Sequence, residues 1–243
     1  MAERRFLRWA IARVVGLVVL LGAGWLVYHA STSIEFRVRT LRTEGAFLLS
    51  QSEVEQTLAV RGANVFWVDR TAAEERLRQL PLVLRAEVTP VLPDTVSVQI
   101  VERQPAAFWV SGDQSYVIDD QGVVLRQLDE DEGVYASKPL PTIEQRDGQP
   151  LKPGDLVDPR ALATSNRLAT LLPKAGVTPA AVEWSQAVGL EVRTKDGWRA
   201  RFDSTGDIDQ QVDSLRAIRD YLAKNKASAE VIDVRFGDRP YYR

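Results

Sequence analysis

Residues 9–28 read W-A-I-A-R-V-V-G-L-V-V-L-L-G-A-G-W-L-V-Y, an apolar run broken by one charge, Arg13. At 1.5 Å rise per residue, a helix of this length spans about 30 Å, the thickness of a bilayer's hydrocarbon core. Arg13 sits one turn inside, where its stem can lie along apolar surface while the guanidinium reaches the headgroups. Trp9 stands at one end, and Trp25 and Tyr28 at the other, where amphipathic rings favour the interface. The pattern predicts one membrane-spanning helix, anchored by Trp9, Arg13, Trp25 and Tyr28, after a stub of residues 1–8. A cleaved secretory signal shares the basic start and the apolar run. The run outlasts an h-region of roughly 7–15 residues, however, and Tyr28-His29-Ala30 puts a bulky ring where a small residue is wanted. Arginines lie on both sides, at positions 4, 5, 8 and 13 and again at 37, 39 and 42. Residues 29–34, a linker, carry no firm charge, and long domains translocate largely regardless of theirs. The expected orientation is N-terminus in the cytoplasm and everything from Glu35 outside.

Beyond the linker the period changes. Residues 36–43, F-R-V-R-T-L-R-T, alternate like a short exposed strand that Glu44-Gly45 ends. Ser50 and Glu53 form a capping box opening a helix with Val54 and Leu58 on its apolar face, and Arg61-Gly62 stops it. Residues 65–68 are an apolar connector. Thr71 and Glu74 make a second capping box, for a helix through Leu77 and Leu80 that Pro81 closes. Residues 83–90 and 95–102 are strand-like runs joined by the turn Leu92-Pro93-Asp94. Residues 35–104 thus spell strand, helix, helix, strand, strand, a size that can fold alone around a good core.

From residue 105 onward the pattern is β-rich. Short apolar runs at 107–110 and 116–118 are followed by the turn Asp119-Asp120-Gln121-Gly122 and a third run at 123–125. Periodicity lapses over 127–141, where the four carboxylates at 129–132 read as a solvated loop rather than a hard-cation site. Asp158 and Pro159 open a helix through Leu162, Leu168 and Leu172 that Pro173 ends. Strands at 182–184, 190–194 and 198–202 follow, the last two joined by hairpin chemistry at Lys195-Asp196-Gly197. Asp207 caps a helix whose Ile208, Val212, Leu215, Ile218 and Leu222 form one stripe, fit to lie against a sheet and ending near Asn225. Last comes V-I-D-V-R-F at 231–236, with Ile232, Val234 and Phe236 on one face and Val231, Asp233 and Arg235 on the other. The fold class is α+β: a membrane helix, a βααββ domain, and a mostly antiparallel β-domain with flanking helices over 105–243.

Composition narrows the chemistry. A net charge of −2 argues against a dedicated nucleic-acid binder. With no cysteine, disulfides, thiolate metal sites and cysteine nucleophiles are excluded. The one histidine, His29, lies at the membrane edge, so Ser-His and His-metal constellations have no base or ligand set. The carboxylate pairs Asp203/Asp207 and Asp119/Asp120 fall in turn contexts, where Asp is favoured for backbone reasons. Trp67, Trp109, Trp184 and Trp198 sit in strand-like or connector runs where core packing suffices. No catalytic residue, metal, cofactor or small-molecule substrate is expected.

The strand ending in a Gly turn, the G-x-N-x-F connector (Gly62, Asn64, Phe66), the L-P helix end and V-E-R-Q-P at 101–105 resemble the POTRA module of the FtsQ/DivIB family. The G-L-x-V…D-G…F-D stretch at 189–203 and I-D-V-R-F-x-D-R-P at 232–240 resemble that family's β-domain. The stub is shorter than in many relatives. The resemblance implies a bitopic, non-enzymatic division protein of the plasma membrane, at the septum. Its partners would be the coiled-coil bitopic proteins of FtsB/DivIC and FtsL type, in the complex that activates septal peptidoglycan synthesis. By their residues alone, 231–236 are either an internal strand or a sheet edge open to strand addition; the resemblance favours the edge. Val231, Ile232, Asp233, Val234, Arg235 and Phe236 are therefore the expected partner-binding residues, with Arg235 gripping either a partner carboxylate or one within the domain. The alternatives are a POTRA-bearing chaperone or transport component and, further off, an anchored carboxylate-dependent wall hydrolase.

Overall fold

The computed structural model describes residues 2–128, 140–237 and 239–243, with side chains from residue 13 onward. The acidic run at 129–132 lies outside the described residues. Two compact units divide the chain between Glu102 and Arg103.

The first unit begins with helix α1, Ala2–Thr32. Its segment Arg13–Thr32 has a mean hydropathy of 1.8 and no buried residue, long and apolar enough to cross a membrane. Helical structure continues four residues past Tyr28, into the expected linker, and a 3-10 turn follows at Ile34–Phe36. Strand β1 (Thr40–Glu44) is shorter than the alternation suggested, starting four residues later. Helix α2 (Gln51–Leu58) has the full Ser50–Glu53 capping box. A 3-10 turn at Val65–Trp67 leads to α3 (Arg70–Arg78), then β2 (Val83–Val91) and β3 (Thr95–Glu102). The sheet order is β1-β3-β2, with β1 parallel and β2 antiparallel to β3.

The second capping box does not form. Asp69 caps α3 by accepting the Ala72 N–H at 3.0 Å, which places Thr71 inside the helix. Glu74 is thereby released to reach the sheet, where its carboxylate accepts the Val88 N–H. Val54, Leu58, Ala73 and Leu77 are buried with Val88, Val96, Val98 and Ile100, while Leu80 is half-buried. Two motif residues acquire a physical reason. Gly45 holds φ +81°, and a Cβ there would stand 2.1 Å from the Ile100 carbonyl oxygen, so only glycine fits. Glu102 is buried, and its carboxylate accepts the N–H groups of Phe47, Leu48 and Leu49 at 2.8–3.0 Å, fixing the β1–α2 loop to the end of β3.

Among the described residues of the second unit, nine strands form one sheet in the order β12-β11-β10-β9-β8-β7-β4-β5-β6. They are β4 (Ala107–Ser111), β5 (Gln114–Ile118), β6 (Val124–Leu128), β7 (Thr142–Gln145), β8 (Pro179–Ser185), β9 (Gly189–Thr194), β10 (Arg199–Phe202), β11 (Val231–Asp233) and β12 (Tyr241–Tyr242). Neighbours are antiparallel except at β4–β7, β7–β8 and β10–β11. Helices α4 (Pro159–Leu171) and α5 (Ile208–Lys224) begin at the caps Asp158 and Asp207. Leu168, Val212, Leu215 and Leu222 share a core with Leu190, Val192, Ala200, Phe202, Ile232 and Val234. Trp109 is fully buried, donates to Gln145 Oε1 and lies 5.7 Å from the Trp184 ring. Trp67, in the first unit, is not core at all: 67% of it is exposed.

Candidate partner-binding edge

The residues singled out at the C-terminal end do not form a sheet edge. Only Val231–Asp233 is strand, and it lies between β10, which it joins in parallel, and β12, which returns antiparallel beside it. Gly237, at φ +56°, lies within the reversal that brings Tyr241 and Tyr242 back along β11. The Val231 N–H donates to the Arg243 carbonyl, and the Val234 N–H to the Arg201 carbonyl, both at 3.1 Å. Ile232 and Val234 enter the core, Val231 and Asp233 are buried, and Phe236 swings out of the strand to 55% exposure. The expectation of a free edge at 231–236 is corrected: at this end of the sheet the edge strand is β12, and β6 ends the other side.

Register shows what that edge offers. Val231 and Arg243 exchange both backbone hydrogen bonds, so Ile232 and Tyr242 are the next, non-bonded pair. In an antiparallel ladder the N–H and C=O of such a residue point away from its partner, here toward the open side. Tyr241 shares its sheet face with Asp233, and Tyr242 shares the opposite face with Ile232. Each has an aromatic companion. Tyr241 stacks on Phe236 with ring centres 6.2 Å apart, and Tyr242 lies 6.4 Å from Tyr221 of α5. Between α5 and the returning chain runs a cleft of about 420 Å³, lined by Ala217, Ile218, Tyr221, Pro240 and Tyr242 among others. An open backbone edge flanked by half-exposed rings on both faces is suited to an extended segment bearing apolar side chains.

Behind the edge a charged row crosses the sheet. Glu144, Glu183, Glu191, Arg201, Asp233 and Tyr241 face one another in turn across six strands. Asp233 has no exposed surface; Arg235 binds it through Nε at 2.9 Å and Nη2 at 2.7 Å, and the Tyr241 hydroxyl donates at 3.1 Å. Burial by itself would raise the Asp233 pKa, but the Arg235 hydrogen bonds outweigh it and hold the carboxyl below its ordinary range. Arg235 also donates to the Val188 carbonyl, so its fork is engaged within the domain rather than held out to a partner. Glu191 is treated alike: burial opposes its charge, while Arg201 at 2.7 Å and Arg146 at 2.6 Å lower its pKa. Glu183 is paired with Arg146 and Arg193.

Of the two turn carboxylate pairs, Asp120 is exposed and the other three acids have structural work. Asp207 caps α5, Asp203 accepts from Thr205, and Asp119 accepts the Gln121 and Val123 N–H groups and pairs with Arg103. A polar cleft of about 570 Å³ is lined by Asp158, Arg160, Asp203 and Arg235 among others. There Arg160's hydrogen bond lowers the Asp158 pKa, leaving a poor proton carrier near neutrality. No group of three or more metal-ligating side chains occurs among the described residues. Of the anchor residues, Arg13, Trp25 and Tyr28 are exposed on α1, as a lipid-facing helix requires; Trp9 lies on the same helix. Sequence reasoning missed Tyr221, Tyr241 and Tyr242. The β-prone pair Tyr-Tyr after Arg239-Pro240 was the available signal.

Comparison with known proteins covers both units. Residues 36–103 match the POTRA domain of FtsQ type, and residues 107–235 match the C-terminal region of cell division protein FtsQ/DivIB. The chain is similar to cell division protein FtsQ of Chloroflexus aurantiacus, 30% identical over 236 residues, covering 95% of this chain and 82% of that protein. It is also similar to FtsQ of Chloroflexus aggregans, 31% identical over 184 residues, covering 75% and 66% respectively. With FtsQ of Myxococcus fulvus it shares 28% identity, over 94% of this chain and 81% of the relative.

Proposed function

We propose, for a chain that belongs to the FtsQ/DivIB family of cell division proteins, a non-enzymatic scaffold held in the plasma membrane by α1. Its N-terminus lies in the cytoplasm and both folded units lie outside, at the division septum. Its partners are bitopic coiled-coil division proteins of FtsB/DivIC and FtsL type. Through them it recruits and regulates the septal peptidoglycan synthase complex. Residues 105–243 are the docking domain and residues 35–104 the recruitment module.

The observation that supports docking at the C-terminal strand is the open β12 edge between two aromatic pairs. A partner strand would add beside β12 by main-chain hydrogen bonds, with its side chains reading Tyr242 and Tyr221 on one face and Tyr241 and Phe236 on the other. Residues 231–236 then support the site from behind: β11 holds β12, and the Asp233–Arg235 pair positions Tyr241.

The test is co-purification of a single-pass coiled-coil division protein with the full chain and with Tyr242→Pro. Proline there removes an N–H that points outward, a substitution an edge strand tolerates. Binding should be lost while the melting curve stays that of the parent. A folded Tyr242→Pro protein that still captures its partner would move the docking site off this edge.

A further inference from the structure

The end of the membrane helix is not free. Asn64 Nδ2 donates to the carbonyls of Ala30 and Ser31, at 2.7 and 3.1 Å, in the last turn of α1. Its Oδ1 accepts the Phe66 N–H and caps the 3-10 turn Val65–Trp67. One amide thus joins the tip of the membrane helix to the loop before α3, and gives the asparagine of the Gly62-x-Asn64-x-Phe66 connector a physical role. The C-terminal carbonyls of a helix lack internal partners, and Asn64 supplies one.

That joint fixes a depth. Ala30 and Ser31 lie two and three residues past Tyr28, so a rise of 1.5 Å per residue sets them about 3–5 Å beyond the span of residues 9–28. The headgroup zone on each side of a bilayer is about 5–7 Å deep. Asn64 therefore sits within that zone, and so do the residues next to it. Those residues carry an exposed apolar patch: Ile34 is 68% exposed, Trp67 67% and Phe66 47%, with Phe36 packed on Phe66 at a ring separation of 5.0 Å. Arginines flank it. The Arg37 guanidinium is held by the Gly62 carbonyl and that of Arg39 by the Ile34 carbonyl, while Arg61 pairs with Glu55; the exposed Glu35 is the one acid in this stretch of 30–39. Tryptophan and phenylalanine beside arginine is the composition that membrane–water interfaces select.

We propose that Ile34, Phe36, Phe66 and Trp67 form a second membrane contact, in which the first domain rests its aromatic edge in the headgroup zone, with Arg37 and Arg39 toward lipid phosphates. The proposal rests on the membrane-anchor reading of α1 and adds to it a fixed attitude of this domain on the surface.

The sequence has no cysteine, so single-cysteine reporters are clean. Full-length protein in bilayer nanodiscs of phosphatidylethanolamine and phosphatidylglycerol would carry an environment-sensitive fluorophore at Ala63→Cys, an exposed position beside Asn64. A second version would carry it at Val19→Cys, in mid-helix. The expected result is a blue-shifted Ala63 label quenched by headgroup-nitroxide lipid, and a Val19 label quenched by deep-acyl nitroxide. Trp67→Ser should weaken the quenching at Ala63 and Trp67→Phe should restore it, with the Val19 label unchanged. An Ala63 label that stays in water while the Val19 label is deep would overturn the second contact alone. A Val19 label in water would instead overturn the anchor. Protection of the Ala63 label that appears only as protein-to-lipid ratio rises would assign the patch to a protein interface and also overturn the proposal.

Discussion

Replacing Asp233 by asparagine tests the ion-paired support behind the open edge. The carboxylate has no exposed surface and receives the Arg235 guanidinium, the Arg235 backbone N–H and the Tyr241 hydroxyl. An asparagine oxygen keeps part of this set but leaves Arg235, largely buried, without its counter-charge. Hydrogen bonds to a charged group contribute roughly 1.5–3 kcal/mol each, and breaking a buried pair costs about 3–5 kcal/mol. Since Arg235 retains some access to water and its bond to Val188, we expect a loss of about 2–4 kcal/mol. Trp109 is fully buried in the second unit, with Trp184 packed on it, whereas Trp67 of the first is already exposed, so the change in tryptophan fluorescence on urea unfolding in detergent reads the second unit. At about 2 kcal/mol per molar urea, a 3 kcal/mol loss moves the midpoint down by about 1.5 M. The acid side supplies a second reading. The folded pKa of Asp233 lies below its unfolded value of about 3.9, so its stabilisation is complete above that pH and drains away as pH falls through the folded value. Asparagine has no such dependence. The gap between parent and variant should therefore be widest near neutrality and narrow below about pH 4. A change within about 0.5 kcal/mol at neutral pH, or a gap that widens in acid, would refute the account.

Two further outcomes follow. Leu77→Ala, at a fully buried position of α3, should cost the first domain roughly 2–5 kcal/mol, read as a lower melting temperature by circular dichroism. Val234→Pro removes the N–H that bonds the Arg201 carbonyl inside the sheet, so it should unfold the second domain rather than spare the fold and block binding; a parent-like melt would refute that.

Local features were legible from the chain alone. The Ser50–Glu53 box, the Asp158-Pro159 start and the five-residue stripe of α5 depend on residues within one or two turns, and each forms as its spacing requires. Where two local signals competed, the outcome turned on distant groups. Asp69 and Thr71 are both fit to cap α3, and Glu74, the would-be partner of Thr71, is drawn to the Val88 N–H fourteen residues away. Residues 231–236 lie inside the sheet rather than at its edge for the same reason. Alternation identifies faces of a strand but not which strand lies beside it, and β12 is only two residues long. Trp67 reads as core in a V-F-W-V run, yet the turn it occupies is pinned by Asn64 to the helix tip and projects it outward.

The charged row across the sheet also limits how the chain can close. Strands β9 and β10 align with Glu191 against Arg201 and Arg193 against Arg199. Slipping β10 by one residue would turn both of its arginines into the layer where Leu190, Val192 and Phe202 now pack. Slipping it by two would restore the faces but set Arg201 opposite Gly189, forfeiting its bond to the Glu191 carboxylate. Hydrophobic burial would penalise the first error heavily and the second hardly at all. The ion pairs act where apolar packing is blind, distinguishing alignments that share the same inside and outside, and they fix which residues β11, and through it Tyr242, present at the rim of the sheet.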